Sequence, residues 1–178
     1  MNSVEETFNF ENIEIIKRIS LKELQKIYKA RSKINNNTKY FIISTADALE
    51  HYSFEMIIDL YHMVNIMTKL NYPSILKFIG FSKTNFKNKQ KPTIVTEYSK
   101  YIIDVDFSNN PLIVIYGIAS AISYLHSHGI LHRNLGIEHI YLDKLFHPKL
   151  TGFDYSVDIS ANLASNQPIK FSVLKFNY

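Results

Sequence analysis

The chain reads as a mixed α+β domain, and three observations predict it. Five β-patterned runs crowd into the first half, one amphipathic helix interrupts them after the third, and a second long helix precedes only short hairpin-like pieces. Ile13 to Lys33 holds two alternating runs, IEIIKRI and KIYKARSK, and Asn35, Asn36 and Asn37 supply a turn after them. Lys39 to Thr45, rich in β-branched and aromatic residues, is the third strand. Leu49 to Leu70 is the first helix: Met56, Leu60, Met63, Val64, Met67 and Leu70 recur at spacings of three and four, and Asn71, Tyr72 and Pro73 end it. Ile75 to Phe81 and Pro92 to Tyr98 are two further strands, joined by a connector carrying Lys83, Lys87, Lys89 and Lys91 that reads as a solvated loop. Asn110 and Pro111 cap and start a second helix. It runs through Leu125, with Leu112, Ile115, Ala119, Ile122 and Leu125 as its expected buried face. Strand-like pieces follow at Gly129 to Leu131, His139 to Leu142 and Pro148 to Phe153, and the Ser/Asn-rich tail shows little pattern until FSVLKF.

Composition narrows the function classes. The 178 residues, 46% apolar and 20% charged, suit one folded domain rather than a disordered chain. A net charge of +4 is too small to argue for a nucleic-acid partner, and none is expected. With no cysteine, thiolate metal sites, disulfides and thiol nucleophiles are excluded, and a reducing, cytoplasmic location is expected. The uncharged run Ser108 to Gly129 is broken by Asn109, Asn110, Pro111, His126 and His128. It falls short of the ~20 apolar residues of a membrane span. Only five glycines are present, no two closer than seven residues, so a glycine-rich phosphate loop cannot form.

Two stretches carry a resemblance. LNYPSILKFIGF (Leu70 to Phe81) is similar to the protein-kinase segment joining the C-helix to the fourth strand. YLHSHGILHRNLGIEHIYLDKLFHPKLTGFDYS (Tyr124 to Ser156) resembles the kinase catalytic loop and the metal-binding turn after it. Leu125, His126, Ile130, His132, Arg133, Leu135, Glu138, Ile140, Leu142, Asp143, Lys149 and Phe153 match the family pattern. IVTEY resembles the hinge, with Thr96 as gatekeeper followed by Glu97 and Tyr98. The resemblance implies a five-stranded antiparallel N-lobe sheet with a C-helix over about residues 13–98. A partial, mainly helical C-lobe is implied over 99–178, with 1–12 as an N-terminal extension.

The residues that the resemblance makes chemical are replaced. Ser20, Lys22 and Gln25 stand at the three glycine positions, and Ser44 stands at the third-strand lysine. Met63 occupies the place of the C-helix glutamate, Asn134 that of the catalytic aspartate and Gly136 that of the following lysine. His139 replaces one magnesium ligand and Gly152 the other. Phosphoryl transfer depends on charge neutralisation and positioning, so each lost charge is a lost function. An amide at 134 cannot accept a hydroxyl proton. No metal and no cofactor are expected. The implied protein is a catalytically inactive kinase-like domain acting as a binding or scaffold module, with a protein partner over its incomplete C-lobe. One alternative is an atypical active kinase using ATP and magnesium, with Lys22 or Lys26 and Asp154 as relocated groups. The other is a kinase gene fragment without a role. Histidines 126, 128, 132 and 139, and the carboxylates Glu97, Glu138 and Asp143, are expected to be structural.

Overall fold

The computed structural model describes residues 7–22, 25–34, 37–46, 54–99, 101–102 and 111–160. Five strands in the first half form one antiparallel sheet: β1 (Ile13–Lys22), β2 (Gln25–Ile34), β3 (Asn37–Thr45), β4 (Phe78–Ser82) and β5 (Thr93–Glu97), in the order β1-β2-β3-β5-β4. The helix α1 (Phe54–Lys69) lies between β3 and β4 in the chain. The expected turn at Asn35 and Asn36, and the expected helix start from Leu49 to Ser53, lie outside the described residues. The expected α1 stripe is buried at Met63, Val64, Met67 and Leu70.

The alternation in β1 is not continuous. Register shifts between Ile15 and Lys17, and between Arg18 and Ser20, mark two bulges, and Ile16 and Ile19 are left exposed. The strand expected over Ile75 to Phe81 begins only at Phe78. Ile75 instead makes an isolated parallel bridge to Leu150, half a chain away. Its apolar pattern was that of a strand, but its hydrogen-bonding partner comes from the second half.

That second half contains β6 (Tyr101–Ile102), α2 (Pro111–Ser127), β7 (Ile130–Leu131), β8 (Ile140–Leu142), β9 (Pro148–Leu150) and β10 (Val157–Asp158). β6, β8 and β9 form a small sheet, and β7 pairs with β10. One core joins both halves: Met63, Ile66 and Met67 of α1 and Phe81 of β4 pack with Leu125 of α2, Leu150 and Phe153. At the far side of that joint, Lys69 Nζ reaches the buried Asp158 carboxylate at 2.8 Å.

The buried face of α2 differs from the expected one. Val114, Gly117, Ala121 and Leu125 face inward, whereas Leu112 is 74% and Ile115 61% exposed. Ala119 is exposed too, so of the expected face only Leu125 is fully buried and Ile122 is half-buried. The reason is steric. Gly117 has no side chain, and Pro148 of β9 and Ser74 lie against the space a Cβ would fill. That close approach fixes the rotation of a helix that is apolar on most of its surface, where periodicity alone does not choose a face.

Residues 7–12 of the N-terminal extension pack on the sheet. The amides of Thr7 and Phe8 donate to the Phe81 carbonyl, and the Thr7 hydroxyl accepts from the Phe81 amide at 3.0 Å. Phe8 lies over Gly80 and joins Phe10, Phe41, Phe86 and Tyr28 in an edge-to-face aromatic cluster. The lysine-rich connector is ordered by the buried Asn85, whose carbonyl oxygen accepts from the Lys87 and Lys89 amides.

Leu125 and Leu112 therefore separate core from surface on one helix. Leu125→Ala is expected to cost ~2–5 kcal/mol in urea denaturation, and Leu112→Gln to stay within about 0.5 kcal/mol of the parent.

Candidate ligand cleft

A cleft of about 390 Å³ lies between the five-stranded sheet and the β8–β9 region. Ile19 of β1, Ile27 of β2 and Ile42 of β3 line one side, and Tyr141, Thr151, Gly152 and Phe153 line the other. The alternation of β3 places Ile42 and Ser44 on the same face, toward the cleft. Met63 of α1 also lines the cleft and is buried. Ser44 and Met63 cannot form an ion pair, so the cleft's inner end has no lysine–glutamate brace from these two positions.

The second-half loop is built on a chain of hydrogen bonds. Leu76 donates to the Leu150 carbonyl and Leu150 to the Ser74 carbonyl. The next residue, Thr151, donates from its amide to the His139 carbonyl, and its own carbonyl takes a 2.8 Å bond from His132 Nε2. His132 Nδ1 accepts from the Asn134 amide, which leaves the proton on Nε2 and the ring neutral. The ring packs edge-on against Phe153 at 4.9 Å. Between these anchors Arg133 takes a φ of 62°, a left-handed conformation that neighbouring contacts must hold.

His139 and Gly152 meet in space. Gly152 adopts a φ of 83°, and a Cβ on it would overlap the His139 ring. The imidazole thus fills the volume that a side chain at position 152 would need. On its other flank the Asn134 side-chain amide lies 3.0 Å from His139 Nε2. With the amide as donor, the ring nitrogen accepts. Glu138 Oε1 stands 3.7 Å from the same nitrogen. Three replaced positions, Asn134, His139 and Gly152, therefore form one contact group.

The other expected site residues fall as follows. Thr96 and Tyr98 line the cleft; Glu97 does not. The Glu97 carboxylate accepts from the Lys77 amide at 3.0 Å and pairs with Lys149 Nζ at 3.1 Å, which is a structural clamp between β5 and β9. Asp143 caps a turn through the Leu145 and His147 amides. Gly136 does not line the cleft, and a side chain there would meet the Glu138 carboxylate. β1 and β2 remain paired out to Lys22 and Gln25, so Ser20, Lys22 and Gln25 belong to strands rather than to a loop arching over phosphate. The side chains of these three lie outside the described residues.

Sequence reasoning overlooked Lys17, Lys29, Tyr141 and Ser99 as lining residues. The bulges of β1 carried the signal for Lys17, but bulges are not legible from alternation. Asp154, the relocated carboxylate of the active-kinase alternative, lines the cleft and is exposed.

A family model for protein tyrosine and serine/threonine kinases matches residues 13–173. The chain belongs to the protein kinase family. A serine/threonine-protein kinase-like protein of Arabidopsis thaliana is 32% identical over 111 residues, covering 56% of this chain and 30% of that protein. Serine/threonine-protein kinase SIK2 of Gallus gallus is 36% identical over 104 residues, 54% of this chain and 12% of the relative. Serine/threonine-protein kinase AtPK2/AtPK19 of Arabidopsis thaliana is 24% identical over 164 residues, 88% of this chain and 34% of the relative. The matched part of this kinase-family chain spans about a third or less of the length of these curated relatives.

The family implies magnesium and ATP, and the described residues at the magnesium positions do not fit that ion. Among the described residues, no group of three or more His, Asp or Glu side chains is arranged to hold a metal ion. The position that would present a carboxylate is Gly152, and its space is taken by an imidazole. Restoring the carboxylate should therefore fail alone: Gly152→Asp must strain a left-handed backbone and displace His139. The single change is expected to destabilise by ~2–4 kcal/mol. Adding His139→Asn is expected to recover at least ~1 kcal/mol, a non-additivity readable in a double-mutant denaturation cycle.

His132 supplies a pH dependence. Burial pushes its imidazole below the usual 6.5, against the smaller opposing effect of its bond to the Thr151 carbonyl. The folded protein then binds fewer protons at this group than the unfolded chain does. Its contribution is complete above pH 6.5 and declines as pH falls from there toward the lowered folded value. Urea midpoints measured between pH 7.5 and 5 are expected to fall with acidity, and less steeply in His132→Phe.

Proposed function

We propose that this member of the kinase family is a catalytically inactive domain that acts as a binding or scaffold module. One observation carries the reading: the His139 imidazole occupies the space over Gly152 while Asn134, in place of a base, bonds to it. Proton acceptance and metal charge, the two contributions a kinase loop makes, are both withdrawn by the same contact group. The module reading includes a protein partner. The wet apolar surface of α2 at Leu112, Ile115 and Tyr116, of which Tyr116 is 78% exposed, supports it. It also includes a cytoplasmic location, supported by the cysteine-free composition. No helix among the described residues is long and apolar enough to cross a membrane.

One observation favours a second reading, an active kinase with relocated groups: Asp154 does line the cleft. Of the two lysines that reading offers for phosphate, Lys26 does not line the cleft, and the Lys22 side chain lies outside the described residues. Incubation with Mg·ATP separates the two readings. The inactive domain gives no thermal shift and no phosphate incorporation into itself or a generic substrate. Incorporation that disappears in Asp154→Ala establishes the active reading instead.

A further inference from the structure

The described charged residues that line the cleft are separated by sign. β8 leads from His139, beside Gly152, to Leu142, whose carbonyl accepts the Ser99 hydroxyl at the hinge. Three strand residues, about 10 Å, thus separate the two ends. At the His139 end, the described charged residues that line the cleft are carboxylates, Glu138 and Asp154. At the hinge end they are cations. The Lys29 ammonium sits 4.1 Å from the Tyr98 ring centre and 4.8 Å from that of Tyr40. Lys17, which also lines the cleft, is the residue directly across the strand pair from Lys29.

Like charges directly opposite on neighbouring strands repel, and an anion placed between them removes that repulsion. The two tyrosine rings hold the Lys29 head group in position, which reduces the ordering cost of receiving an anion. Between the two ends the walls are apolar, with Ile27, Ile42 and Ile94 and the half-buried ring of Tyr141. A volume of about 390 Å³ falls within the range of small-molecule sites.

We propose that this cleft binds an aromatic carboxylate without metal, its apolar body against Ile27, Ile42 and Tyr141 and its carboxylate toward Lys17 and Lys29. The proposal rests on the inactive reading above, and it names the ligand class that such a module takes. A metal-free polyphosphate entering in the family's direction would meet Glu138 and Asp154, and no described cation lines that end to offset them.

The test is calorimetric titration of the full chain with naphthalene-2-carboxylate, the neutral naphthalene-2-carboxamide, and Mg·ATP. The carboxylate is expected to bind about fivefold or more tightly than the amide, the effect of one charge pair at a partly exposed site. In Lys17→Gln/Lys29→Gln the gap closes while amide binding stays. Lys17→Glu alone, at an exposed position, reverses the preference and guards against a double variant that fails to fold. Equal binding of the two probes, a gap that survives both variants, or binding of neither probe overturns the proposal and leaves the inactive reading standing. Mg·ATP binding more tightly than the carboxylate overturns both.

Discussion

Two backbone hydrogen bonds hold the arrangement together: Leu76 to the Leu150 carbonyl and Leu150 to the Ser74 carbonyl. They join the strand-rich first half to β9 at a point where Leu150 itself is fully buried in the shared core. Everything at the cleft's inner end is placed from this joint. Thr151 follows Leu150 and fixes both His132 and the His139 backbone, and Gly152 follows Thr151 and lies beneath the His139 ring. A shift of Leu150 would therefore move the core and the cleft together. Because that core draws on α1, β4, α2 and Phe153 at once, the two halves are not independent packing units.

The framework of a kinase persists here because its requirements are those of packing and backbone hydrogen bonding. His132 is held by a carbonyl, an amide and an aromatic ring, none of which concerns phosphate. Glu97 clamps β5 to β9 with the same indifference to chemistry. The positions that carry charge or bind metal in the family, Ser44, Met63, Asn134, His139 and Gly152, are among those that differ here. A side chain at 152 would overlap the His139 ring, so a change at 152 alone must displace that ring.

Much of the fold was legible because alternation and three-to-four spacing are local signals. The five strands and both helices follow from them. What remained hidden depended on contacts between distant segments. The face of α2 is set by Pro148 approaching Gly117, a contact that periodicity in PLIVIYGIASAISYLHS does not encode. The strand limits near Ile75 are set by Leu150, and the bulges of β1 by its pairing with β2. At the site, Asn134, Gly136, His139, Gly152, Ser44 and Met63 were each readable as a departure from the family. Their grouping was not: that His139 occupies the room above Gly152, thirteen positions later, is a fact of three-dimensional packing. Lys17, Lys29 and Tyr141 escaped notice because the family pattern assigns them no chemistry.

We propose that the His139 imidazole, which fills the space of a side chain at 152, stands where the family holds a metal ion. Paramagnetic relaxation can decide this. In nuclear magnetic resonance spectra of the chain titrated with Mn·ATP, a metal held at this end of the cleft would broaden the His139 ring and Asn134 side-chain signals first. Both signals are expected to remain sharp at manganese concentrations that saturate an active kinase. Selective loss of the two would mean that a metal is held beside His139.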